Sequence, residues 1–140
     1  MAKYQKDGML DAALNYIKDN ATLLCFCTAS IDSTTTYAKA TNDPSTSSGF
    51  CLAKTASSIT VGSPANGSVN GRKVNIPQQT DLTVLGSGAN SGARLVIVGT
   101  DPDASSANTV LYITDTATQS VTGGNLVTLP SFNIEFSDAT

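Results

Sequence analysis

The pattern of apolar and polar positions changes character once along the chain, at about residue 21. Before that point, apolar side chains recur at the i, i+3, i+4 and i+7 spacing of a single helical stripe: Leu10, Ala13, Leu14 and Ile17. This spacing predicts a helix over 9–19. Asp7 is a suitable N-cap, and Asn20 can adopt the left-handed conformation that ends many helices. Residues 1–8 follow no period and are predicted to form an N-terminal arm.

From residue 22 onward the pattern is that of strands and turns. Residues 22–28 are apolar at successive positions, which is typical of a strand covered on both faces. Further apolar runs follow at short intervals, separated by Gly, Pro, Asn and Asp. The predicted strands are 22–28, 50–53, 58–61, 72–76, 81–85, 93–99, 109–115, 125–129 and 132–136. The polar segment 30–48 is predicted to be a long loop with one helical turn at 37–40.

These elements predict a mainly β protein with one N-terminal α-helix, built as an antiparallel β-sandwich or barrel of about 8–9 short strands. The length fits a single domain over 1–140, in which an arm (1–8) and a helix (9–19) precede a β domain (22–140). Ser and Thr make up 35 of the 140 residues, whereas charged residues make up only 14%, against about 25% in ordinary globular proteins. We therefore expect an outer surface covered mainly by hydroxyl groups.

The charge distribution limits the possible partners. The net charge is −3 and no basic cluster is present, so binding of nucleic acid through phosphate neutralisation is not expected. All eight Lys and Arg fall between Lys3 and Arg94, and with the six Asp of the same span they give it a net charge of +2. The five acidic residues beyond Arg94 give the remainder of the chain a net charge of −5. This asymmetry is either chance in a low-charge sequence or an acidic face that meets a basic one in a neighbouring subunit. Both interpretations remain open.

The three cysteines are predicted to be structural. Cys25 and Cys27 form a C-x-C pair whose thiols share one face of a strand, but a zinc site needs four ligands. Only Cys51 remains, and the chain contains no histidine. We therefore expect buried thiols, which behave as small apolar groups, and neither a metal nor a cofactor.

Three further motifs are weak candidates for chemistry. The segment Gly86–Gly92 resembles a phosphate-binding loop, but it leads into a strand rather than a helix and is predicted to be a flexible hairpin loop. Asp101-Pro102-Asp103 could offer two carboxylates to calcium, yet it is also a common turn sequence. A serine nucleophile would need another base because histidine is absent, and Glu135 is the only glutamate. The sequence therefore predicts a protein that is not an enzyme.

The N-terminal region does not have the pattern of a signal peptide, because its first eight residues are polar and the apolar positions that follow are helically spaced. No apolar run approaches the roughly 20 residues that span a membrane. We therefore expect synthesis in a reducing cytoplasm, free thiols and no membrane partner.

Several segments of the chain resemble small virion proteins of tailed bacteriophages. The resemblance is carried by the first 27 residues, in which the Asp7–Thr22 segment precedes an apolar strand with Cys25 and Cys27, and by three shorter segments. Those segments are Thr36-Tyr37-Ala38-Lys39-Ala40, Gly71-Arg72-Lys73-Val74 and Val127-Thr128-Leu129-Pro130-Ser131-Phe132-Asn133-Ile134. The resemblance includes no catalytic motif.

This resemblance implies a decoration, or cement, protein that binds the outer surface of a phage capsid and stabilises the shell. The implied partners are the major capsid protein and further copies of the chain, as a homotrimer. The implied location is the capsid exterior of the virion, after synthesis in the host cytoplasm. Two alternatives remain: a neck, tail or head-fibre assembly protein, and a carbohydrate- or receptor-binding β module.

The expected assembly interface comprises the N-terminal arm, the helix and the long loop. Its candidate residues are Tyr4 and Lys6 in the arm, Met9 and Tyr16 on the helix, and Tyr37 in the loop. Most other aromatic residues fall within predicted helix or strand patterns, which leaves Tyr4 and Tyr37 as the aromatic residues expected in loops.

Overall fold

The structure is a computed structural model that describes residues 5–45, 48–105 and 107–138. Over these ranges the chain forms two α-helices, one 3-10 turn at Pro102–Ala104, and nine strands. The helices are α1 (Asp7–Asn20) and α2 (Tyr37–Thr41). The strands are β1 (Ala21–Cys27), β2 (Cys51–Lys54), β3 (Ala65–Asn66), β4 (Arg72–Ile76), β5 (Gln79–Thr83), β6 (Ala89–Asp101), β7 (Ala107–Thr122), β8 (Leu126–Leu129) and β9 (Phe132–Phe136).

All strand pairs are antiparallel and form three sheets. The main sheet has the order β2-β1-β6-β7, a second sheet has the order β3-β4-β9, and β5 pairs with β8. The predicted class, a mainly β fold with an N-terminal helix and an antiparallel sandwich-like or barrel-like arrangement, is confirmed. Two strands are not short, however, because β6 has 13 residues and β7 has 16.

The centre of the main sheet is buried on both faces, as the uninterrupted apolar pattern of β1 predicts. On the first face, Leu24 and Phe26 pack with α1 and with side chains of the two smaller sheets. On the second face, Cys25 and Cys27 pack with Ile31 and other residues of the segment that carries α2. Alternation along β1 therefore sends neighbouring side chains into two separate apolar clusters.

Helix α1 covers the first face through Leu10, Leu14 and Ile17, which are all buried. It is longer than the predicted 9–19, so residues 7 and 8 do not belong to an arm. Lys6, rather than Asp7, is the N-cap, and its carbonyl accepts the Met9 N–H at 2.8 Å. The predicted cap at Asp7 is wrong because the helix begins one residue earlier than that role requires.

The C-terminal end of α1 also differs from the prediction. Asn20 is the last helical residue and does not adopt the left-handed conformation, because Ala21 continues directly into β1 with an extended backbone. The Asn20 side chain instead donates to the Tyr16 carbonyl at 2.8 Å. The side chain of Asn20 thus bonds back to the last turn of its own helix instead of forming a turn.

The predicted strand 58–61 is wrong, although its apolar side chains are buried. Ile59 donates its N–H to Thr22 of the main sheet at 2.9 Å, and Gly62 donates to Asn75 of β4 at the same distance. The segment therefore crosses from one sheet to another and forms no ladder with either. Its apolar alternation reflects burial of Ile59 and Val61 in the core.

The segment 86–92 is only partly the flexible hairpin loop that its composition predicts. Residues from Ala89 onward belong to β6 and pair with the end of β7, as in the pair Gly92–Gln119. A Cβ at Gly92 would collide with the ring of Phe26. Glycine is present at this position because an aromatic ring lies against the backbone, which is a non-local cause that the sequence does not reveal.

The other predicted strands agree with the structure in position but not always in their ends. Strand β5 begins and ends two residues before the predicted 81–85. Leu85 lies beyond its end, where its N–H donates to Leu52 of β2 at 2.7 Å. The helical turn predicted at 37–40 is present as α2. Thr36 caps α2 by accepting the Lys39 N–H.

Candidate assembly surfaces

The described part of the chain contains few groupings of reactive side chains. In residues 5–45, 48–105 and 107–138, no three Cys, Asp or Glu side chains are placed so that they could hold a metal ion. Within the same ranges, no helix is both long enough and apolar enough to cross a membrane. Asp101 of the candidate calcium motif caps the 3-10 turn, accepting the Asp103 N–H at 2.9 Å. The features that remain are three surface regions and a buried group of cysteines.

The first surface, which we call the helix stripe, consists of Lys6, Met9 and Tyr16. Lys6 precedes α1, and Met9 and Tyr16 are seven residues apart, so all three lie along one side of the helix. This side flanks the buried stripe, and Met9 is 64% exposed. The Tyr16 hydroxyl donates to the Asp101 carboxylate at 3.0 Å. This hydrogen bond, together with some desolvation, raises the pKa of Tyr16.

The structure does not bring all five predicted interface residues together. Tyr37 begins α2 and packs half-buried on the second face of the main sheet, whereas α1 covers the first face. Tyr4 lies outside the described residues. The predicted interface is thus represented by the helix stripe on one side of the main sheet and by Tyr37 on the other.

The second surface is the outer edge of β7, which the sequence analysis missed. Strand β7 pairs with β6 on one side only, and none of the described strands pairs with its other side. Its 16 residues include neither Lys nor Pro, and Asp115 is its only charged residue. Lysines, prolines and short lengths are the usual features that prevent edge strands from pairing with other chains. Along this edge, Asp115 and two irregularities in the β6–β7 register are the comparable protective features.

The direction of the main-chain groups along β7 follows from the hydrogen bonds of β1. Thr55 donates its N–H to the Leu24 carbonyl at 3.1 Å. The main-chain N–H and C=O groups of Leu24 therefore point toward β2, and those of Cys25 point toward β6. Cys25 pairs with Val96, which in turn pairs with Ile113. Because main-chain groups alternate in direction along antiparallel strands, the N–H groups of Ile113 and, two residues later, Asp115 point away from β6.

A shallow groove runs beside this edge. It has a volume of about 330 Å³ and is lined by Ser33, Val110, Leu111, Tyr112 and Ile113. The four β7 side chains are half-buried, so each keeps apolar surface in contact with solvent. Leu111 is the extra residue at a bulge, where the register of β7 shifts against β6. We call this groove and the adjoining outward main-chain groups the β7 edge.

The third surface is a hydroxyl-lined groove of about 290 Å³ in the long loop, which we call the threonine groove. It is bordered by Ser30, Asp32, Thr34, Thr35, Thr36, Lys39 and Phe50. The Lys39 ammonium lies 5.4 Å from the centre of the Phe50 ring, an arrangement that is favourable for a cation–π contact.

Asp32 organises the start of the threonine groove. Its Oδ1 accepts the hydroxyl of Thr34 at 2.7 Å, the N–H of Thr34 at 2.8 Å and the hydroxyl of Thr35 at 3.3 Å. These hydrogen bonds, led by those from Thr34, lower the pKa of Asp32 below its ordinary value. The hydroxyl groups of this turn therefore serve the fold of the loop.

Arg94 connects the long loop to the main sheet. Its Nε donates to Asp115 of β7 at 3.1 Å, and its Nη1 donates to the Ile31 carbonyl. The Asp115 side chain is 86% exposed, so this ion pair contributes little to stability. The contact nevertheless joins the threonine groove to the β7 edge through one side chain.

The three cysteines lie together on the second face of the main sheet and are completely buried with free thiols. The Cys27 thiol lies 3.6 Å from the Ala40 carbonyl, and the Cys51 thiol lies 3.3 Å from the Ala53 carbonyl. Hydrogen bonding to Cys51 and burial raise the pKa of both Cys25 and Cys27. The same hydrogen bonds lower the pKa of Cys51.

Comparison of the chain with protein-family models, with curated proteins and with solved structures found no match.

Proposed function

We propose that this chain is a structural protein of a tailed-bacteriophage virion, which binds the outer surface of the capsid as a decoration protein and stabilises the shell. The resemblance carried by the first 27 residues and the three shorter segments supports this role. Its partners would be the major capsid protein and sister copies in a homotrimer. This role is one of binding and requires no catalysis.

The observation that carries an assembly role is the β7 edge. A long edge strand with outward N–H and C=O groups and adjacent apolar side chains can accept an extended segment of another protein as an additional strand. Main-chain hydrogen bonds would then supply affinity, and the groove beside Val110 and Tyr112 would receive side chains of the added strand. We assign the added strand to the capsid protein.

The surface chemistry agrees with repeated packing on a protein shell. The side chains exposed along the second half of β7 are mainly Thr, Ser and Gln, which can form hydrogen bonds at a small desolvation cost compared with charged groups. The helix stripe adds Met9 and Tyr16 at a second place on the surface. Several moderate contacts suffice because an oligomer that binds several capsid sites gains affinity through linkage.

The threonine groove is the feature that favours a carbohydrate-binding module, the second candidate function. Its hydroxyl groups and the Phe50 ring are suitable for sugar recognition. However, Lys39 already lies over the Phe50 ring, and Thr34 and Thr35 already donate to Asp32. These internal contacts leave fewer groups for a sugar, so we prefer the assembly role.

The test is co-sedimentation of the purified chain with phage capsids that lack decoration. We expect the wild-type chain to bind to saturation, at a fixed number of copies per capsid. Replacement Asp115→Pro removes one outward N–H, in a position where an edge strand tolerates proline. Loss of one partner hydrogen bond, worth about 1 kcal/mol, together with local obstruction by the ring, should weaken binding about tenfold.

The matched control is Asp115→Ala, which removes the same carboxylate but keeps the N–H group. This variant should bind within about twofold of wild type, because the exposed Arg94–Asp115 pair is weak. Absence of wild-type binding to capsids would overturn the decoration role. Equal binding by the Pro and Ala variants would overturn only the role of the β7 edge.

Light scattering of the free protein distinguishes contacts to the capsid from contacts between sister copies. We expect wild type and Asp115→Pro to have the same oligomeric state, a trimer. If the Pro variant instead dissociates, the β7 edge joins sister copies and is not the capsid-binding site.

A further inference from the structure

Cys27 of β1 and Cys51 of β2 face each other directly across the edge of the main sheet. Their main chains do not bond to each other. Thr28 donates its N–H to Phe50 at 3.0 Å beside the pair, and Cys51 donates its own N–H to Asn42 at 2.9 Å. The two cysteines therefore occupy a non-hydrogen-bonded position, beside the point where the β1–β2 register shifts between Phe26 and Cys27. Opposed Cα atoms at such positions of a regular ladder lie about 4.5 Å apart. Disulfides span Cα distances of about 4.4–6.8 Å.

The third cysteine is less well placed. Cys25 lies on the same face as Cys27 but is opposite Lys54 rather than Cys51. A bond between Cys25 and Cys27 would join residues i and i+2 of one extended strand, whose Cα atoms are about 6.6 Å apart and near the upper limit for a disulfide. The Cys25 thiol is also hydrogen-bonded to Cys51, but Cys25 lies diagonally across the ladder from Cys51, and diagonal Cα atoms are about 7–8 Å apart. Direct opposition therefore favours the Cys27–Cys51 pair over the other two.

From this placement we propose that Cys27 and Cys51 form an intramolecular disulfide when the protein leaves a reducing compartment and meets a small-molecule disulfide oxidant. The bond would join β1 to β2 and close the chain segment that contains the long loop, α2 and the threonine groove. The cross-link is independent of the proposed function, because it concerns only this chain and its oxidant.

The reaction is thiol–disulfide exchange in two steps. The Cys51 thiolate attacks one sulfur of the oxidant R–S–S–R, forming a mixed disulfide and releasing R–S⁻. The Cys27 thiolate then attacks the Cys51 sulfur and releases the second R–S⁻. Two protein S–H bonds are replaced by one S–S bond, and the oxidant is reduced to two R–SH, which take up the two protons. The lowered pKa of Cys51 makes it the first nucleophile.

Burial determines the rate of this reaction. All three sulfurs are inaccessible in the closed structure, so the oxidant must enter through local opening. Strand β2 is the shorter of the two cysteine-bearing strands and forms a ladder with β1 alone, so its local opening, with loss of the Leu85–Leu52 and Cys51–Asn42 main-chain hydrogen bonds, would expose Cys51. Oxidation should therefore be slow in buffer and faster at urea concentrations too low to unfold the protein.

The test is to incubate the folded protein with excess oxidised glutathione, denature it, alkylate the remaining thiols and measure the intact mass. We expect monomers that carry one alkyl group and lack the mass of two hydrogen atoms. Fragmentation of the non-reduced peptides should place the bond between Cys27 and Cys51. The oxidised protein should unfold at a higher urea concentration than the reduced protein, because the cross-link restricts the unfolded chain.

The variant Cys25→Ala should form the bond as wild type does, whereas Cys27→Ala and Cys51→Ala should not form an intramolecular bond. Three alkylated thiols in wild type after prolonged exposure would overturn the proposal, as would a bond to Cys25. If an alanine variant does not fold, fragmentation of the wild-type protein still identifies the linked pair.

Discussion

Arg72 at the start of β4 holds Asp11 of α1 with two hydrogen bonds. Its Nε donates to Oδ1 at 2.7 Å and its Nη2 donates to Oδ2 at 3.2 Å, an arrangement that a guanidinium can make but an ammonium cannot. The same Arg72 also donates to the side chain of Asn66 at 2.6 Å. One side chain thereby fixes the helix and the β3–β4 hairpin to each other.

Replacement Arg72→Lys should therefore lower the melting temperature, even though it conserves the charge. The lysine could keep one contact to Asp11, but it would lose the second hydrogen bond to Asp11 and the hydrogen bond to Asn66. Thermal unfolding followed by circular dichroism measures the effect. The control is Lys73→Arg at the neighbouring position, where no ion pair involves the side chain among the described residues. Equal melting temperatures for wild type and Arg72→Lys would contradict a role for the forked geometry.

Replacement Gly92→Ala should destabilise the protein by about 1–3 kcal/mol, the usual cost of forcing extra volume into a packed core. The added methyl group would collide with the ring of Phe26, which is 2% exposed and has no room to withdraw. Urea unfolding provides the free energy. Adding Phe26→Leu should reduce the cost of the alanine, since the smaller side chain vacates the space that the methyl group needs. Additive effects of the two changes would exclude this contact as the cause.

In contrast to Gly92→Ala, replacement Gly8→Ala should increase the free energy of unfolding, by about 0.5 kcal/mol. Gly8 lies in the first turn of α1, and nothing lies within 4 Å of the position that its Cβ would occupy. Alanine lowers the conformational entropy of the unfolded chain and favours the helix. The same urea measurement applies. A loss of stability would mean that α1 begins later than residue 8, as the sequence pattern had predicted.

Local sequence patterns are sufficient for some features of the fold and not for others. The apolar stripe of α1 and the two-sided apolar run of β1 predict burial correctly, because each pattern depends only on the period of its own element. Three features could not be predicted in this way: the ends of α1, the crossing segment at 58–61 and the inclusion of Gly92 in β6. Each depends on a partner that is distant in the sequence, such as Phe26 for Gly92.

The candidate surfaces likewise divide into those that a local pattern predicts and those that depend on residues distant in the sequence. Met9 and Tyr16 could be placed on one exposed side of a helix from their spacing alone. The β7 edge could not be found in this way, because an edge is defined by the strand order of the sheet. Tyr37 was expected to share a surface with the helix. Its separation from α1 results from the main sheet lying between them.

Acid should loosen the threonine groove through Asp32. Because hydrogen bonds from Thr34 lower the folded-state pKa of Asp32, its contribution to stability is complete above its ordinary pKa of 3.8 and is lost as the pH falls through the lower folded value. The stability difference between wild type and Asp32→Asn should therefore be constant near neutral pH and shrink below pH 3.8. Urea unfolding at a series of pH values measures it. A difference that grows on acidification would contradict the assigned direction.

The helix stripe should contribute to capsid binding in addition to the β7 edge. Met9 is 64% exposed on α1, and replacement Met9→Glu would remove its apolar contact and place a carboxylate in the interface, so we expect occupancy on undecorated capsids to fall. The matched control is Leu126→Glu on β8, because Leu126 has the same exposed fraction and the substitution makes the same change in charge. Co-sedimentation compares the two variants, and circular dichroism verifies that both are folded. A larger loss for Leu126→Glu than for Met9→Glu would move the capsid-binding surface from α1 to the β5–β8 sheet.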